Sequence, residues 1–412
     1  MAASPDADAQ AVQYLLSAAA VRERAQGLLG AGLEEKLSHF AVDLDRLDAC
    51  ADAVVATIGA NYSDLEVPFH ARWRHFSVSG VDRWEAVAAA APWPDAAAMG
   101  RAAFDLAIVS VLLDAGAGPA WRYHEGRTGE TFARSEGLAI ASFDLFVSGA
   151  FSNDPADPFR VDAGALIALT PEELAEGFQA GPDNPLVGLE GRASLLNRLG
   201  EVVAADPETF GQADEPRPGG LFDLLSEQPE IGAPAILDAV LQHLGPIWPG
   251  RITLGGVNLG DTWRHPLARA DDATDGLVPF HKLSQWLSYS LIEPLKWAGL
   301  TVIDIDGLTG LPEYRNGGLF LDTDVLRLKN PDEAERLHAV DSMLVVEWRA
   351  LTVALLDTIA PLIRQKLGAA GEMLTLAQIL EGGTWATGRR LARERRPDGG
   401  PPLKVVSDGT VF

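Results

Sequence analysis

The chain has 412 residues, 47% hydrophobic and 22% charged, enough core for two or three domains or for one continuous helical body. Its formal net charge of −25 excludes a nucleic-acid backbone or an anionic membrane as a natural partner, and any phosphate pocket must be built locally from Arg and Lys. The single cysteine, Cys50, excludes an internal disulfide and a cysteine-cluster metal site, which makes the cytoplasm the expected compartment.

Taken in chain order, the N-terminal Met1 to Asp8 is acidic where a secretory leader is basic. Residues 9–29 carry Tyr14, Leu15, Ala18, Val21 and Ala25 at helical spacing. The most apolar stretch, 102–121, is interrupted by Asp105 and Asp114, so it is expected to be a buried helix and not a membrane span. Thr170-Pro171-Glu172-Glu173 predicts a capped helix start. Further helices are expected over 189–203, 234–244, 281–297, 331–367 (bent at Pro361) and 374–395. Strand-like alternation is confined to 251–254, 301–305 and 403–412. Segments 206–220, 268–276 and 396–402 are rich in Pro, Gly and Asp and read as surface loops. The expected fold class is mainly α with a few short strands at the edges. An N-terminal helical region over 1–205 and a C-terminal one over 221–412 would share one continuous site between them.

The residues equipped for chemistry crowd into the third quarter of the chain. Asp261, in Gly260-Asp261-Thr262-Trp263, is either a turn cap or a carboxylate that activates water and stabilises positive charge. Trp263 beside it would exclude water, and His265 follows. At about 100° per residue, His281, Lys282, Gln285 and Tyr289 share one arc of a helix, opposite an apolar arc of Leu283, Trp286, Leu287 and Leu291. Such an arc is ordinarily solvated; His, Gln and Tyr in place of Glu and Lys favour a ligand. Glu313-Tyr314-Arg315-Asn316-Gly317-Gly318 is either a turn with an internal Glu–Arg pair or a site whose arginine fork takes a phosphate or carboxylate. Glu347 falls in an apolar stripe and must be paired. It projects about 200° from Arg349 on the same helix, so Arg315 or Lys282 are its candidate partners. Upstream, Trp73 and His75 lie in the aromatic-basic run Phe69 to Phe76, suited to stacking a planar ring or to an ordinary aromatic core edge. No His-Glu-x-x-His, P-loop, dinucleotide fingerprint or Gly-x-Ser-x-Gly elbow is present. Neither a metal nor a cofactor is expected.

Several strings resemble the uracil-catabolism protein family, the fourth gene product of a pathway that degrades uracil through a nucleotide and releases urea. They are Gly260 to Trp263, Leu277 to Trp286, Gly310 to Gly318, Glu347 to Leu351, Glu381-Gly382-Gly383-Thr384-Trp385, and the tail from Gly399 to Phe412. These cover the C-terminal third well and the N-terminal half poorly. A fainter similarity links the chain to queuosine salvage nucleotide N-glycohydrolases, which are helical with a DNA-glycosylase-like architecture. It rests on the order of Phe69 to Phe76, Asp261, His281 to Gln285, Glu313-Tyr314-Arg315 and Glu347-Trp348-Arg349. Glu313 stands where that family has Asp, and Asn316-Gly317-Gly318 replaces its Val-Pro-Gln.

These resemblances imply an enzyme of uracil catabolism that hydrolyses the N-glycosidic bond of a ribosylated, 5′-phosphorylated intermediate such as a ribosylurea phosphate. Asp261 and Glu313 would be catalytic. Tyr314, His281 and Gln285 would hydrogen-bond base remnant or ribose, and Lys282 and Arg315 would hold the phosphate. Trp263, Trp73 and His75 would wall the pocket, with His265, Asn316, Glu347 and Arg349 completing it. The alternatives are an amidohydrolase cutting a ureido bond in the same pathway and a non-catalytic partner of its enzymes. The oligomeric state is not legible.

Overall fold

A computed structural model describes residues 5–114, 116–211, 215–248, 250–371 and 373–406. Helices dominate, and each sheet among the described residues is a two-stranded ribbon, so the protein is mainly α. The chain divides into two compact units. The first is built from residues 1–70, 249–285 and 304–412, the second from 71–248 and 286–303. The expected division between 205 and 221 falls inside the second unit. The first 70 residues pack instead with the C-terminal segments: helix Ala18–Leu33 lies against helix Met343–Leu367, and strand Phe40–Val42 pairs antiparallel with Leu326–Leu328.

The first unit is organised around helix Met343–Leu367, in which every residue from Leu344 to Leu356 is buried. A helix enclosed on all sides tolerates charge only where it is paired. This places a demand on Glu347 and Arg349. Ser342 caps the start by accepting the Val345 N–H, and Gly368, at φ 65°, ends it in the left-handed conformation glycine adopts without strain. The helix does not begin at 331. Pro331–Glu335 is a separate 3₁₀ turn capped by Asn330, and Leu337–His338 pairs in parallel with Lys404–Val405. That pair is also what the described residues hold of the strand expected over 403–412, since 407–412 lie outside them.

Two other expected helices are interrupted, each for a local reason. The 9–29 segment becomes Pro5–Leu15 and Ala18–Leu33, because the Ser17 hydroxyl accepts the Ala20 N–H and starts a new helix. The 374–395 segment opens with a Thr375–Gln378 capping box, passes through a π-helix at Ile379–Trp385, and resumes as Ala386–Arg395. Gly382 and Gly383 sit in the π turn, where an added Cβ would approach Val67 and Val54 to 2.7 and 2.8 Å.

The second unit packs helix Ala96–Leu112 against Arg134–Val147 and Leu221–Leu225, with Leu189–Ala205 and Ala233–Leu244 nearby. Asp105 is tolerated inside the first of these because Arg217, Gly219 N–H and Val161 N–H all donate to it. Thr170 and Glu173 form the expected capping box, and Thr301–Ile303 runs parallel to Glu230–Gly232. Among the described residues no helix is long and apolar enough to cross a membrane.

Candidate functional site

A short hairpin builds the first part of the site. Strand Thr262–Arg264 pairs antiparallel with Leu277–Pro279, the register setting Thr262 opposite Pro279. The next residues on each side, Asp261 and Phe280, therefore meet, and the Phe280 N–H donates to the Asp261 carbonyl at 2.9 Å. This carries the Asp261 carboxylate to the start of helix Lys282–Trp297, where Oδ2 accepts the Lys282 N–H at 3.0 Å. The capping role expected for this aspartate is thus present. It is only part of the arrangement. Arg349 donates through both terminal nitrogens, Nη1 to Oδ1 and Nη2 to Oδ2, each at 2.7 Å, and Trp263 Nε1 donates to Oδ1 at 2.6 Å. Each oxygen accepts two donors, the full capacity of a carboxylate. Burial works against the charge, but Arg349, Trp263 and the Lys282 N–H outweigh it and hold Asp261 below the ordinary carboxylate range. Arg349 also lies 4.2 Å over the Phe280 ring, and its Nε donates to the Pro312 carbonyl, next to Glu313.

The helix geometry that separates Glu347 from Arg349 sends the glutamate to a different set of groups. Glu347 accepts the backbone N–H groups of Ser38 and His39, each at 2.9 Å, and lies 3.4 Å from His265 Nε2. The partners expected for it, Arg315 and Lys282, are not among these. Burial opposes its charge, and His265 with the two N–H groups holds it below the usual range. His265 Nδ1 accepts the Leu267 N–H, which leaves Nε2 as the donor to Glu347.

Glu313 starts helix Tyr314–Asp322. Its Oε2 accepts the Arg315 N–H at 2.7 Å and its Oε1 the Asn316 N–H at 2.5 Å. The internal Glu–Arg contact foreseen from the sequence is therefore made through backbone and not through the guanidinium. Arg315 turns away: Nη1 donates to the Gly399 carbonyl at 2.7 Å, and the guanidinium stacks 5.0 Å from the Tyr314 ring. Burial pushes the Glu313 carboxyl up. The two N–H groups, and the charges of Lys282 and His70, offset that only in part. Among Asp261, Glu347 and Glu313, this one alone is displaced toward its protonated form.

Other residues expected to contact a ligand are committed within the protein. His281 Nε2 donates to the Leu15 carbonyl at 2.8 Å, an acceptor left over where the first helix stops. Burial pulls the His281 ring toward the neutral form. Gln285 is bound to Thr309, its Oε1 accepting the Thr309 N–H at 2.8 Å and its amide donating to the hydroxyl. Asn316 Nδ2 donates to the Leu311 carbonyl, and its Oδ1 accepts the Thr384 hydroxyl at 2.8 Å. Trp263 is buried, with the Arg251 guanidinium 5.1 Å from its ring. Trp73 and His75 belong to the second unit. There Trp73 donates to the Ser290 carbonyl and packs edge-on against Trp297 at 4.7 Å, and His75 meets Trp286 edge-on at 5.9 Å.

One pair escaped the sequence reading. His70 Nδ1 lies 2.6 Å from Glu381 Oε2, both largely buried. The two are 311 positions apart; the signals in the sequence were the acid opening the Glu381-Gly382-Gly383-Thr384-Trp385 string and the place of His70 in the aromatic-basic run Phe69 to Phe76. Among the described residues no group of three or more His, Cys, Asp or Glu could hold a metal ion. An open cleft of about 570 Å³ in the first unit is lined by Trp385, Ala386, Arg389, Arg390, Arg393 and Glu394, a local concentration of cations on an acidic protein.

Comparison with known proteins reaches beyond the C-terminal motif strings. The family described as a protein of unknown function (DUF1688) matches residues 14–412. The chain is 39% identical over 413 residues to protein urg3 of Schizosaccharomyces pombe, covering 98% of this chain and 99% of that one. It is 39% identical over 412 residues to uracil catabolism protein 4 of Lachancea kluyveri, covering 91% and 92%. The similarity therefore includes the N-terminal half, where the motif strings were faint, and the chain belongs to the DUF1688 family.

Proposed function

We propose that the protein acts in uracil catabolism, as the name of its Lachancea kluyveri relative suggests, and that it hydrolyses the N-glycosidic bond of a ribosylated, 5′-phosphorylated intermediate such as a ribosylurea phosphate. The observation that carries the reading is the contrast between two largely enclosed carboxyls of the first unit. Asp261 is fixed as an anion, and Glu313 is displaced toward the acid form. Cleavage of a glycosidic bond needs both kinds of group: an acid for the departing atom, and a lasting negative charge near an oxocarbenium-like centre.

In this reading Glu313 gives its proton to the nitrogen leaving the anomeric carbon. Asp261, with all four acceptor positions filled, is suited to fixing charge and geometry and not to collecting a proton. The remaining N–H groups of Arg315, together with Lys282, supply the positive charge for the 5′-phosphate. Trp263 and Phe280 keep the Asp261–Arg349 pair dry, which strengthens it. Incubation of the protein with a panel of ribosylureas and pyrimidine nucleotides, with and without chelator, tests the reaction class. Ribose 5-phosphate and a urea or base should appear in equal amounts. Carbamate or ammonia with the ribosyl bond intact would identify the ureido amidohydrolase instead.

A further inference from the structure

Helix Ala386–Arg395 concentrates positive charge on an acidic chain: Arg389, Arg390, Arg393 and Arg395 stand against one acid, Glu394. Arginines in the last turn of a helix complement its dipole, which accounts for Arg393 and Arg395. Arg389 and Arg390 stand before that turn and need another reason. With Trp385, Ala386, Arg393 and Glu394 they line the open cleft of about 570 Å³, a volume within the range of small-molecule sites.

The cations of the cleft are engaged to different degrees. Arg389 lies over the Trp385 ring, 5.3 Å from its centroid. Arg390 pairs with Glu394 at 2.8 Å, but the two side chains are 43% and 53% exposed. An ion pair so exposed contributes little, and a more highly charged anion can take the place of Glu394. Arg393 forms no hydrogen bond or ion pair among the described residues. The helix that carries these side chains is fixed. A Cβ at Gly388 would run into the Arg315 carbonyl, so the backbone lies directly on helix Tyr314–Asp322. Just past the end, Arg396 donates through Nη1 and Nη2 to Asp322, each at 2.7 Å. A backbone held this way needs no ordering when a ligand arrives.

We infer that this cleft binds a phosphate monoester of nucleotide size, with its phosphate on Arg393 and Arg390 and its body along Trp385 and Ala386. A guanidinium fork matches phosphate oxygens, and a net charge of −25 repels anions at long range unless a local rim of cations receives them. Trp385 and Ala386 offer an apolar wall and little hydrogen bonding to tell one base from another. The site goes beyond the hydrolysis proposed above, where the phosphate falls to Arg315 and Lys282, and none of its lining residues has a part in that reaction.

The test is calorimetric titration of the full chain with adenosine 5′-monophosphate in low-salt buffer. This purine ester lies outside the proposed substrates, so no turnover is needed and the cleft and the hydrolysis can fail separately. The ester should bind, and adenosine far more weakly. Arg393→Gln should raise the Kd by about tenfold. Lys282→Gln, in the proposed hydrolytic site, and Arg395→Gln, on the same helix outside the cleft, should leave it unchanged. An ester that does not bind, adenosine binding as tightly as its ester, or equal affinity in wild type and Arg393→Gln would overturn the assignment. A loss with Lys282→Gln and none with Arg393→Gln would move the phosphate to the hydrolytic site. An equal loss with Arg395→Gln would reduce the effect to diffuse attraction, and either result overturns the cleft. Should Arg393→Gln not fold, Arg390→Gln takes its place, and an unchanged Kd in that variant is equally fatal.

Discussion

Asp261 and Glu313 each accept backbone N–H groups at the start of a helix, Lys282 for the first and Arg315 with Asn316 for the second. Both are enclosed by the first unit, and burial acts on both in the same direction. They differ in their side-chain partners, Asp261 having the Trp263 indole N–H as well as a guanidinium. Asp261 faces the bidentate Arg349 guanidinium, whereas the guanidinium nearest Glu313 in sequence, Arg315, is turned to the Gly399 carbonyl. At Glu313 two capping N–H groups do not offset burial, whereas at Asp261 the Arg349 guanidinium together with Trp263 does. Glu347 shifts in the same direction as Asp261, with His265 joining two backbone donors. A guanidinium is not sufficient everywhere, since Asp105 is pushed up by burial although Arg217 donates to it.

The largest effect is expected at Glu313. Glu313→Gln keeps one acceptor oxygen for the cap and removes the exchangeable proton. Turnover of a ribosylurea phosphate should fall by about 10²- to 10⁴-fold with KM little changed. The fold should lose no more than about 2 kcal/mol, the upper range for a lost cap. Turnover near wild type would remove Glu313 from the reaction.

A second effect is expected in stability. Arg349→Met leaves the Asp261 carboxylate buried with only Trp263 and the Lys282 N–H as donors. Breaking a buried pair by removing one partner costs about 3–5 kcal/mol, readable from the midpoint of urea unfolding. A change under about 1 kcal/mol would place the pair among the weak surface bridges and undo the contrast. For the same reason Asp261→Asn loses turnover through misfolding as readily as through chemistry, and it tests the reaction less cleanly than Glu313→Gln.

The smallest effect is in the pH dependence of stability, and the two carboxyls act with opposite sign. The folded form of Glu313 holds its proton above the ordinary value of 4.5. Its contribution is full below that value and is lost as pH rises through the raised one. Asp261, depressed below 3.8, contributes fully above 3.8, and its contribution is lost as pH falls through the depressed value. The difference between wild type and Glu313→Gln, followed by urea midpoints from pH 4 upward in the usual buffers, should show the wild type losing stability relative to the variant as pH rises. A flat difference would contradict the upward displacement.

What the sequence made legible was local. The Thr170 capping box, the helix after His281, the angular separation of Glu347 from Arg349 and the possible capping role of Asp261 all depend on residues within a turn or two of each other. Ser17 was legible in principle, as a capping residue before an alanine run, but the helical spacing on either side masked it. The partners of the buried charges were not legible. Arg349 meets Asp261 across 88 positions and His70 meets Glu381 across 311, and no periodicity reports such pairings. The π turn at Ile379–Trp385 was hidden for another reason. Its residues suit an α-helix, and only the Gly382-Gly383 pair hints that the backbone must approach its neighbours closely.

The protonation of one carboxyl, that of Glu313, decides between acid and bystander, and it can be observed directly. Carbon-13 NMR of side-chain carboxyls, with the Glu313 resonance assigned by its absence in Glu313→Gln, should be titrated upward from pH 4. Glu313 should remain protonated beyond the ordinary glutamate value of 4.5, while Asp261 ionises below the ordinary aspartate value of 3.8. Ionisation of Glu313 at or below 4.5 would contradict the central claim.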